Sequence, residues 1–205
     1  ADFNKIDITT IEDIIISSVV PNINVIFEYL CKKYFKVKPL MVGLHLNLPF
    51  TFAPHLITNN FGADRITDIT KAISLFEDKN LLIFDFGTAT TINVIDSGSK
   101  FLGGSILPGI SMGLNALYKD TAQLPDIDLS AASPLMGLNT KDCITSGAVF
   151  GNAAMLDGMV QRIEDSLSEK TVVIVTGGNA GNILSVCRTK VIYMPELLIS
   201  GLFKL

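Results

Sequence analysis

The sequence is poor in the residues that build metal centres, disulfide frameworks and basic surfaces. It has no tryptophan, two histidines and three cysteines among its 205 residues. Cys31, Cys143 and Cys187 are far apart and odd in number, which fits a reducing compartment and gives no metal-binding pair. The formal net charge of -4 provides no field to attract nucleic acid or anionic lipid. These shortages predict a cytoplasmic protein without zinc and without nucleic-acid or membrane partners.

The chain also lacks long apolar runs and targeting signals. No apolar stretch reaches the roughly 18 residues of a membrane span, and the N-terminal residues do not show the basic and then apolar order of a signal peptide. Charged residues make up 18% of the chain and hydrophobic residues 48%. This balance excludes intrinsic disorder and predicts one domain, or two small ones, with a well-filled core.

Apolar runs with strand character alternate with segments of helical spacing. LLIFDF (81–86) is a continuous apolar run, whereas Ile66, Ile69 and Phe76 recur with the period of a helix. The tripeptide SGS (97–99) between two strand-like runs predicts a hairpin. This alternation predicts an α/β fold with a mixed sheet. Strands are predicted at 14–20, 39–44, 81–86, 91–96, 100–107, 171–178 and 191–195, and helices at 22–34, 63–76, 108–124, 141–167, from about 179, and at 196–205.

The stretch FDFGTATT (84–91) places a carboxylate and a glycine turn at the end of a predicted buried strand. Ligands of α/β sheets bind at such strand ends. Gly87 lets the backbone turn tightly, and Thr88 with the N–H groups of the turn offers donors to phosphate oxygens. Because Asp85 would repel phosphate, it predicts a cation between the two. The alternative for this stretch is an ordinary hairpin entry with a capping aspartate. A second glycine turn, TGG (176–178), follows another predicted strand and is a candidate nucleoside contact.

The segment GADR (62–65) stands where a loop opens a predicted helix. Unpaired N–H groups at a helix start favour anions, and Arg65 can hold a carboxylate or phosphate with two parallel hydrogen bonds. Asp64 can accept a proton from a substrate hydroxyl. The alternative is structural, with Asp64 as the helix N-cap and Arg65 as a solvated residue of the first turn. Spacing alone leaves both interpretations open.

Together, these segments resemble the type III pantothenate kinase family. The resemblance rests on GADR, DFGTATT, FLGGSILPG and GLNTKDCITSG, preceded by SSVVP and followed by a late TGG, in the family's order from about Ile14 to Gly201. It implies an actin-like, sugar-kinase-like fold of two ribonuclease-H-like halves, here 1–79 and 80–205. It also implies ATP-dependent phosphorylation of pantothenate, the first step of coenzyme A biosynthesis, in a cytoplasmic homodimer that uses K⁺ (or NH₄⁺) and Mg²⁺.

The resemblance also implies roles for individual residues. Asp64 is the implied base that receives the proton of the pantothenate hydroxyl, and Asp85 is the implied K⁺ ligand. The other implied site residues are short or charged side chains of the GADR, DFGT and GLNT segments. The implied contacts with pantothenate are Gly62, Ala63, Asp64, Arg65 and Thr140, and those with ATP are Gly87 and Thr88.

Two departures from the family pattern bear on these expectations. The family has a substrate-contacting tyrosine upstream of GADR, and its offset falls here on His55, to which no role is assigned. The family also opens with a strand ending in an Asp-x-Gly-Asn-Thr phosphate loop, which these 205 residues lack. The first half is therefore expected to be incomplete at its N-terminus, and a non-catalytic or regulatory relative stays open as an alternative. A sugar kinase or polyphosphate hydrolase of the same superfamily is a third alternative, against which GADR argues.

Overall fold

The computed structural model describes residues 8–59, 61–129 and 134–205. Within these ranges it has five α-helices and eight strands, and a π-helical turn, Cys31–Phe35, continues the first helix. The helices are α1 (Pro21–Leu30), α2 (Ala63–Leu75), α3 (Ile110–Lys119), α4 (Thr140–Leu167) and α5 (Leu197–Leu202), and the strands are β1 (Ile15–Ile16), β2 (Leu40–Met41), β3 (Thr51–Phe52), β4 (Leu81–Phe86), β5 (Ala89–Ile95), β6 (Lys100–Pro108), β7 (Val172–Thr176) and β8 (Ile192–Tyr193).

A six-stranded mixed sheet forms the centre of the molecule. Its strand order is β3-β6-β5-β4-β7-β8. Strand β4 pairs antiparallel with β5 and parallel with β7, and β5 continues into β6 through an antiparallel hairpin at residues 96–99. Strands β1 and β2 form a separate parallel pair. The predicted α/β fold with a mixed sheet and one central hairpin is confirmed.

The alternation of side chains along β4 separates two apolar cores. Leu82, Phe84 and Phe86 pack with residues of α3 and α4. Leu81 and Ile83 instead pack with residues of α2 and α5. Since successive side chains of a strand point to opposite faces, Asp85 projects toward the face covered by α2. This register brings the carboxylate of β4 to the same side of the sheet as the GADR segment.

Several predicted elements are shorter than expected, among them the strands predicted at 39–44 and 191–195, which have two residues each. The strand predicted at 14–20 has two residues, Ile15–Ile16, and pairs only with β2 in the part of the chain that the structure describes. The helix predicted from about 179 is wrong, because that segment forms a single 3₁₀ turn, Ala180–Asn182. Asn179 donates its backbone N–H to the carbonyl oxygen of Phe86 at 3.0 Å, so the chain follows the end of β4 before it turns.

The apolar side chains of α1 lie largely open to solvent. The side chains of Ile26 and Phe27 are 56% and 43% exposed, and no residue of α1 is buried. Among the described residues, no helix is both long and apolar enough to cross a bilayer. The division of the chain into 1–79 and 80–205 stays a prediction.

Candidate active site

A row of polar side chains crosses the sheet near the carboxyl ends of β4 and β7. Asp85 is in register with Thr91 of β5 and with Thr176 of β7. Residues that are in register on neighbouring strands project from the same face of a sheet. All three side chains therefore point toward α2. The structure places Asp85 at a strand end, where α/β sheets bind ligands.

The turn after β4, which carries Gly87 and Thr88, lies between the start of α3 and the segment at Asn179. A Cβ on Gly109, the N-cap of α3, would contact the carbonyl oxygen of Thr88 and lie 2.6 Å from that of Gly87. From the other side, Asn179 donates Nδ2 to the carbonyl oxygen of Gly87 at 3.4 Å. The start of α3 thus adjoins the turn that carries Gly87 and Thr88. Unpaired N–H groups of the helix start and of the turn can bind phosphate oxygens together.

Gly177 lies against Asp85 in a conformation that side chains rarely adopt, with φ +95°. A Cβ there would contact Asp85 Oδ1 and lie 2.5 Å from the backbone nitrogen of Phe86. We expect Gly177→Ala to lower the free energy of unfolding by about 2–4 kcal/mol, because it combines backbone strain with overpacking. Urea denaturation measures the change. The control is Gly158→Ala in α4, where the new Cβ would meet nothing within 4 Å; an equal loss in both variants would contradict the prediction.

Arg65 is held against the sheet by one hydrogen bond and two aromatic rings. Its Nε donates to Asn93 Oδ1 of β5 at 2.6 Å. The guanidinium carbon lies 4.5 Å from the ring centroid of Phe61 and 5.2 Å from that of Phe101. Burial lowers the pKa of Arg65, although the side chain stays charged. Within the described ranges, Arg65 forms no salt bridge. Its terminal amino groups can therefore bind an anionic substrate.

Two residues that position Arg65 were missed by the sequence analysis. Asn93 is fully buried in β5, and its only sequence signal is one amide inside an apolar strand. Gly104 is in register with Asn93, and a Cβ there would lie 3.0 Å from a terminal guanidinium nitrogen of Arg65. Gly104 lies inside β6, where a Cβ would collide with the carbonyl oxygen of Ile92 and crowd Arg65.

Asp64 is in the first turn of α2 but is not its N-cap. The N-cap is Gly62, which has no side chain to cap the helix. Asp64 Oδ1 accepts a hydrogen bond from the backbone N–H of Arg65 at 2.7 Å. The structural alternative is thus wrong for both residues, since Arg65 is not a solvated residue either. The bond leaves Asp64 Oδ2 as an acceptor for a substrate hydroxyl.

Asp64, Asp68 and Asp85 are three carboxylates whose charges act on one another. Asp68 follows Asp64 by one helical turn and therefore lies on the same face of α2. Burial, and then the charges of Asp85 and Asp64, raise the pKa of Asp68 well above its usual range. Burial, and then the charge of Asp64, raise the pKa of Asp85 to about 6. A bound cation would relieve this repulsion.

The raised pKa of Asp85 predicts a stability that falls as the pH rises. The pKa of Asp85 is near its ordinary value of 3.8 in the unfolded chain and about 6 in the folded protein, so the folded state holds the extra proton between these values. In cation-poor buffer we expect the wild type to lose roughly 2–3 kcal/mol relative to Asp85→Asn between pH 4 and pH 7. Urea denaturation of both proteins across this range measures the difference. A difference that is constant with pH would show that Asp85 titrates normally.

The oxygen-bearing side chains at this strand end are of the kind that bind a hard cation. Carboxylate and hydroxyl oxygens are ligands for hard cations. Asp68 Oδ1 and Thr91 Oγ1 are buried and lack a hydrogen-bond partner in the part of the chain that is described. In the same ranges, no group of three or more His, Cys, Asp or Glu side chains is arranged to hold a metal ion.

No contact among the described residues joins Thr140 to the GADR segment. It is the exposed first residue of α4, after the N-cap Asn139. It lines a groove of about 560 Å³ between α3 and α4. The cavity beside Asp85 shares no lining residue with that groove. His55 is exposed after β3 and stays without an assigned role.

Comparisons with known proteins identify the family. A family model described as Type III pantothenate kinase matches residues 1–162. A protein named Type III pantothenate kinase from Fusobacterium nucleatum subsp. nucleatum is 46% identical over 183 residues, which cover 89% of this chain and 71% of that protein. A protein of the same name from Bacillus cytotoxicus is 37% identical over 195 residues, covering 95% of this chain and 74% of that protein.

A solved structure also shares the fold. The crystal structure of a conserved Baf family protein from Campylobacter jejuni has a TM-score of 0.56 and 24% identity, and the match covers 87% of this chain and 85% of that one. The family resemblance that the sequence motifs carry, and the α/β fold class it implies, are confirmed. This chain belongs to the type III pantothenate kinase family.

Proposed function

We propose that this protein transfers the γ-phosphoryl group of ATP to the hydroxyl of pantothenate, the first step of coenzyme A biosynthesis. The family and the names of its relatives support this reaction. The structural observation that supports this proposal best is that an anion-binding side chain, Arg65, and a proton-accepting side chain, Asp64, are adjacent at the start of α2. Among the described residues, no salt bridge involves the guanidinium of Arg65, and Asp64 beside it acts electrostatically on Asp85.

Arg65 binds the carboxylate of pantothenate. Two parallel N–H donors of a guanidinium match the two oxygens of a carboxylate. Asn93 fixes Nε, and the rings of Phe61 and Phe101 fix the guanidinium plane. The substrate is thereby oriented by its charged end, which leaves its hydroxyl end for Asp64. Gly62 and Ala63 lie in the same turn and contribute backbone contacts to the substrate.

Asp64 accepts the hydrogen bond of the attacking hydroxyl. Phosphoryl transfer depends mainly on positioning and charge stabilisation, so the carboxylate orients the hydroxyl and takes its proton as the bond to phosphorus forms. Gly87 and Thr88 hold phosphate oxygens of ATP with backbone N–H groups and the threonine hydroxyl, together with the start of α3. Asp85 would hold K⁺ or NH₄⁺, which supplies positive charge beside the phosphates, and Mg²⁺ enters with ATP.

The assembly is a cytoplasmic homodimer, and α4 contributes to its interface. The side chains of Leu135, Met136 and Leu138, just before α4, are 66%, 81% and 89% exposed. Cβ atoms on Gly147 and Gly151 of α4 would meet nothing within 4 Å, so a second helix can approach closely. Thr140 lies beside this surface and contacts pantothenate in the assembled dimer. Sedimentation velocity tests the dimer, and a monomer at micromolar concentration would contradict it.

The function is tested by pantothenate-dependent ADP release from the full-length gene product with ATP, Mg²⁺ and K⁺. We expect turnover of about 1 s⁻¹ or more with pantothenate, an ordinary enzymatic rate, and only background ATP hydrolysis without it. Calorimetry measures pantothenate binding in parallel. Binding without turnover would support the non-catalytic alternative, and the absence of both would contradict the substrate assignment.

A further inference from the structure

A small cavity beside Asp85 is lined by a second carboxylate that no motif assigns. The cavity has a volume of about 170 Å³, and Asp68, Asp85, Thr176 and Gly177 contribute to its wall. Asp68 belongs to α2 and is 1% exposed. Its Oδ1 has no hydrogen-bond partner among the described residues. A buried carboxylate oxygen that lines a cavity and has no protein partner needs a partner from outside the chain.

The surroundings of Asp68 favour a cation as that partner. The nearest charges that act on it are those of Asp85 and Asp64, both negative. The guanidinium of Arg65 is held over Phe61 and Phe101, where it donates a hydrogen bond to Asn93 instead. A hydrogen-bond donor from a neutral ligand would satisfy one oxygen atom but would not offset the repulsion between two ionised carboxylates that line one small cavity. A cation between the two carboxylates satisfies both.

Two threonines flank Asp85 in the sheet and carry hydroxyl groups. Thr91 and Thr176 are in register with Asp85 on either side and project from the same face of the sheet. Both threonines are buried, and Thr91 Oγ1 has no hydrogen-bond partner within the described ranges. Of these two threonines, Thr176 lines the cavity together with Asp68 and Asp85. Carboxylate and hydroxyl oxygens form a ligand set for a hard cation rather than for a soft one.

We propose that Asp68 and Asp85 together bind the monovalent cation of this site, so that Asp68 is a second carboxylate ligand. The role of the ion in catalysis rests on the proposed function. Its binding does not, because the two carboxylates and the cavity are features of the fold. A site with two carboxylates holds K⁺ more tightly than one with a single carboxylate, because both negative charges attract the ion in a partly dry cavity. Asp68 orients the ion from α2, on the side of the cavity opposite the sheet.

The test measures cation binding directly, without ATP or pantothenate. Thermal unfolding of the full-length protein is followed in choline chloride as KCl replaces it at constant ionic strength, with MgCl₂ as a separate arm. The variants are Asp68→Asn, Asp85→Asn and, as a matched control, the exposed Asp165→Asn of α4. We expect the K⁺ concentration at half-maximal stabilisation to rise at least about tenfold in Asp68→Asn and Asp85→Asn and to stay unchanged in Asp165→Asn.

The same titration separates a lost ligand from a damaged fold. In choline chloride, Asp68→Asn should melt at or above the temperature of the wild type, because the amide is uncharged at every pH and cannot repel Asp85 or Asp64. A K⁺ dependence equal to that of the wild type would overturn the proposal, as would a stabilisation by MgCl₂ that K⁺ does not produce. If the protein binds K⁺ through Asp68 but never phosphorylates pantothenate, the proposed function fails and the cation site stands.

Discussion

Asp64→Asn is expected to lower kcat for pantothenate phosphorylation by about 10²-fold or more, the usual contribution of a general base. The asparagine keeps an oxygen that can accept the N–H of Arg65, as Asp64 Oδ1 does at 2.7 Å. The first turn of α2 and the position of Arg65 should therefore be preserved. What disappears is the negative charge and the basic oxygen that takes the proton of the substrate hydroxyl. The KM for pantothenate should change little, since Arg65 still binds the carboxylate.

The measurement is the steady-state rate of ADP release by the full-length gene product, with pantothenate varied. Asp165→Asn in α4 is the matched control, because it makes the same chemical change on an exposed surface. Calorimetric binding of pantothenate to Asp64→Asn shows whether the site is still formed. A kcat within threefold of the wild type would remove Asp64 from the mechanism.

Arg65→Ala should reduce kcat/KM for pantothenate by about 10²-fold or more, mainly through KM. The variant loses charge-assisted hydrogen bonds to the substrate carboxylate, each worth roughly 1.5–3 kcal/mol. It also leaves Asn93 Oδ1 buried without its donor, so a lower free energy of unfolding, by roughly 1–3 kcal/mol, is expected as well. Kinetics must therefore be measured at a temperature at which circular dichroism shows the variant to be folded.

Two further variants separate substrate binding by Arg65 from its packing. Arg65→Lys keeps the charge but loses the planar fork that contacts the two phenylalanine rings, so it should recover only part of the affinity. Arg162→Ala removes an exposed arginine of α4 and should leave KM unchanged. If a pantothenate analogue without the carboxylate lost as much kcat/KM with Arg65→Ala as pantothenate does, the carboxylate would not be the partner of Arg65.

Much of the fold could be predicted because its signals are local. The apolar run of β4, the hairpin before β6 and the helical spacing of α2 each lie within a few residues of sequence, and the structure has all three. The 3₁₀ turn at Ala180–Asn182 could not be predicted, since its geometry depends on a hydrogen bond from Asn179 to the distant Phe86. The exposure of the apolar side chains of α1 could not be predicted either, because helical periodicity shows which residues share a face but not what covers that face.

The sequence by itself determined the family and the local chemistry of this protein. Four short motifs in order indicated a type III pantothenate kinase, and the apolar run LLIFDF (81–86) predicted a carboxylate, Asp85, at the end of a buried strand. Only the tertiary structure decided which side chains meet there. The packing of α2 over β4, β5 and β6 brings Asp68 beside Asp85 and sets Arg65 on Asn93. Local patterns encode the period and the face of an element, whereas the pairing of two faces is decided by how the whole core packs.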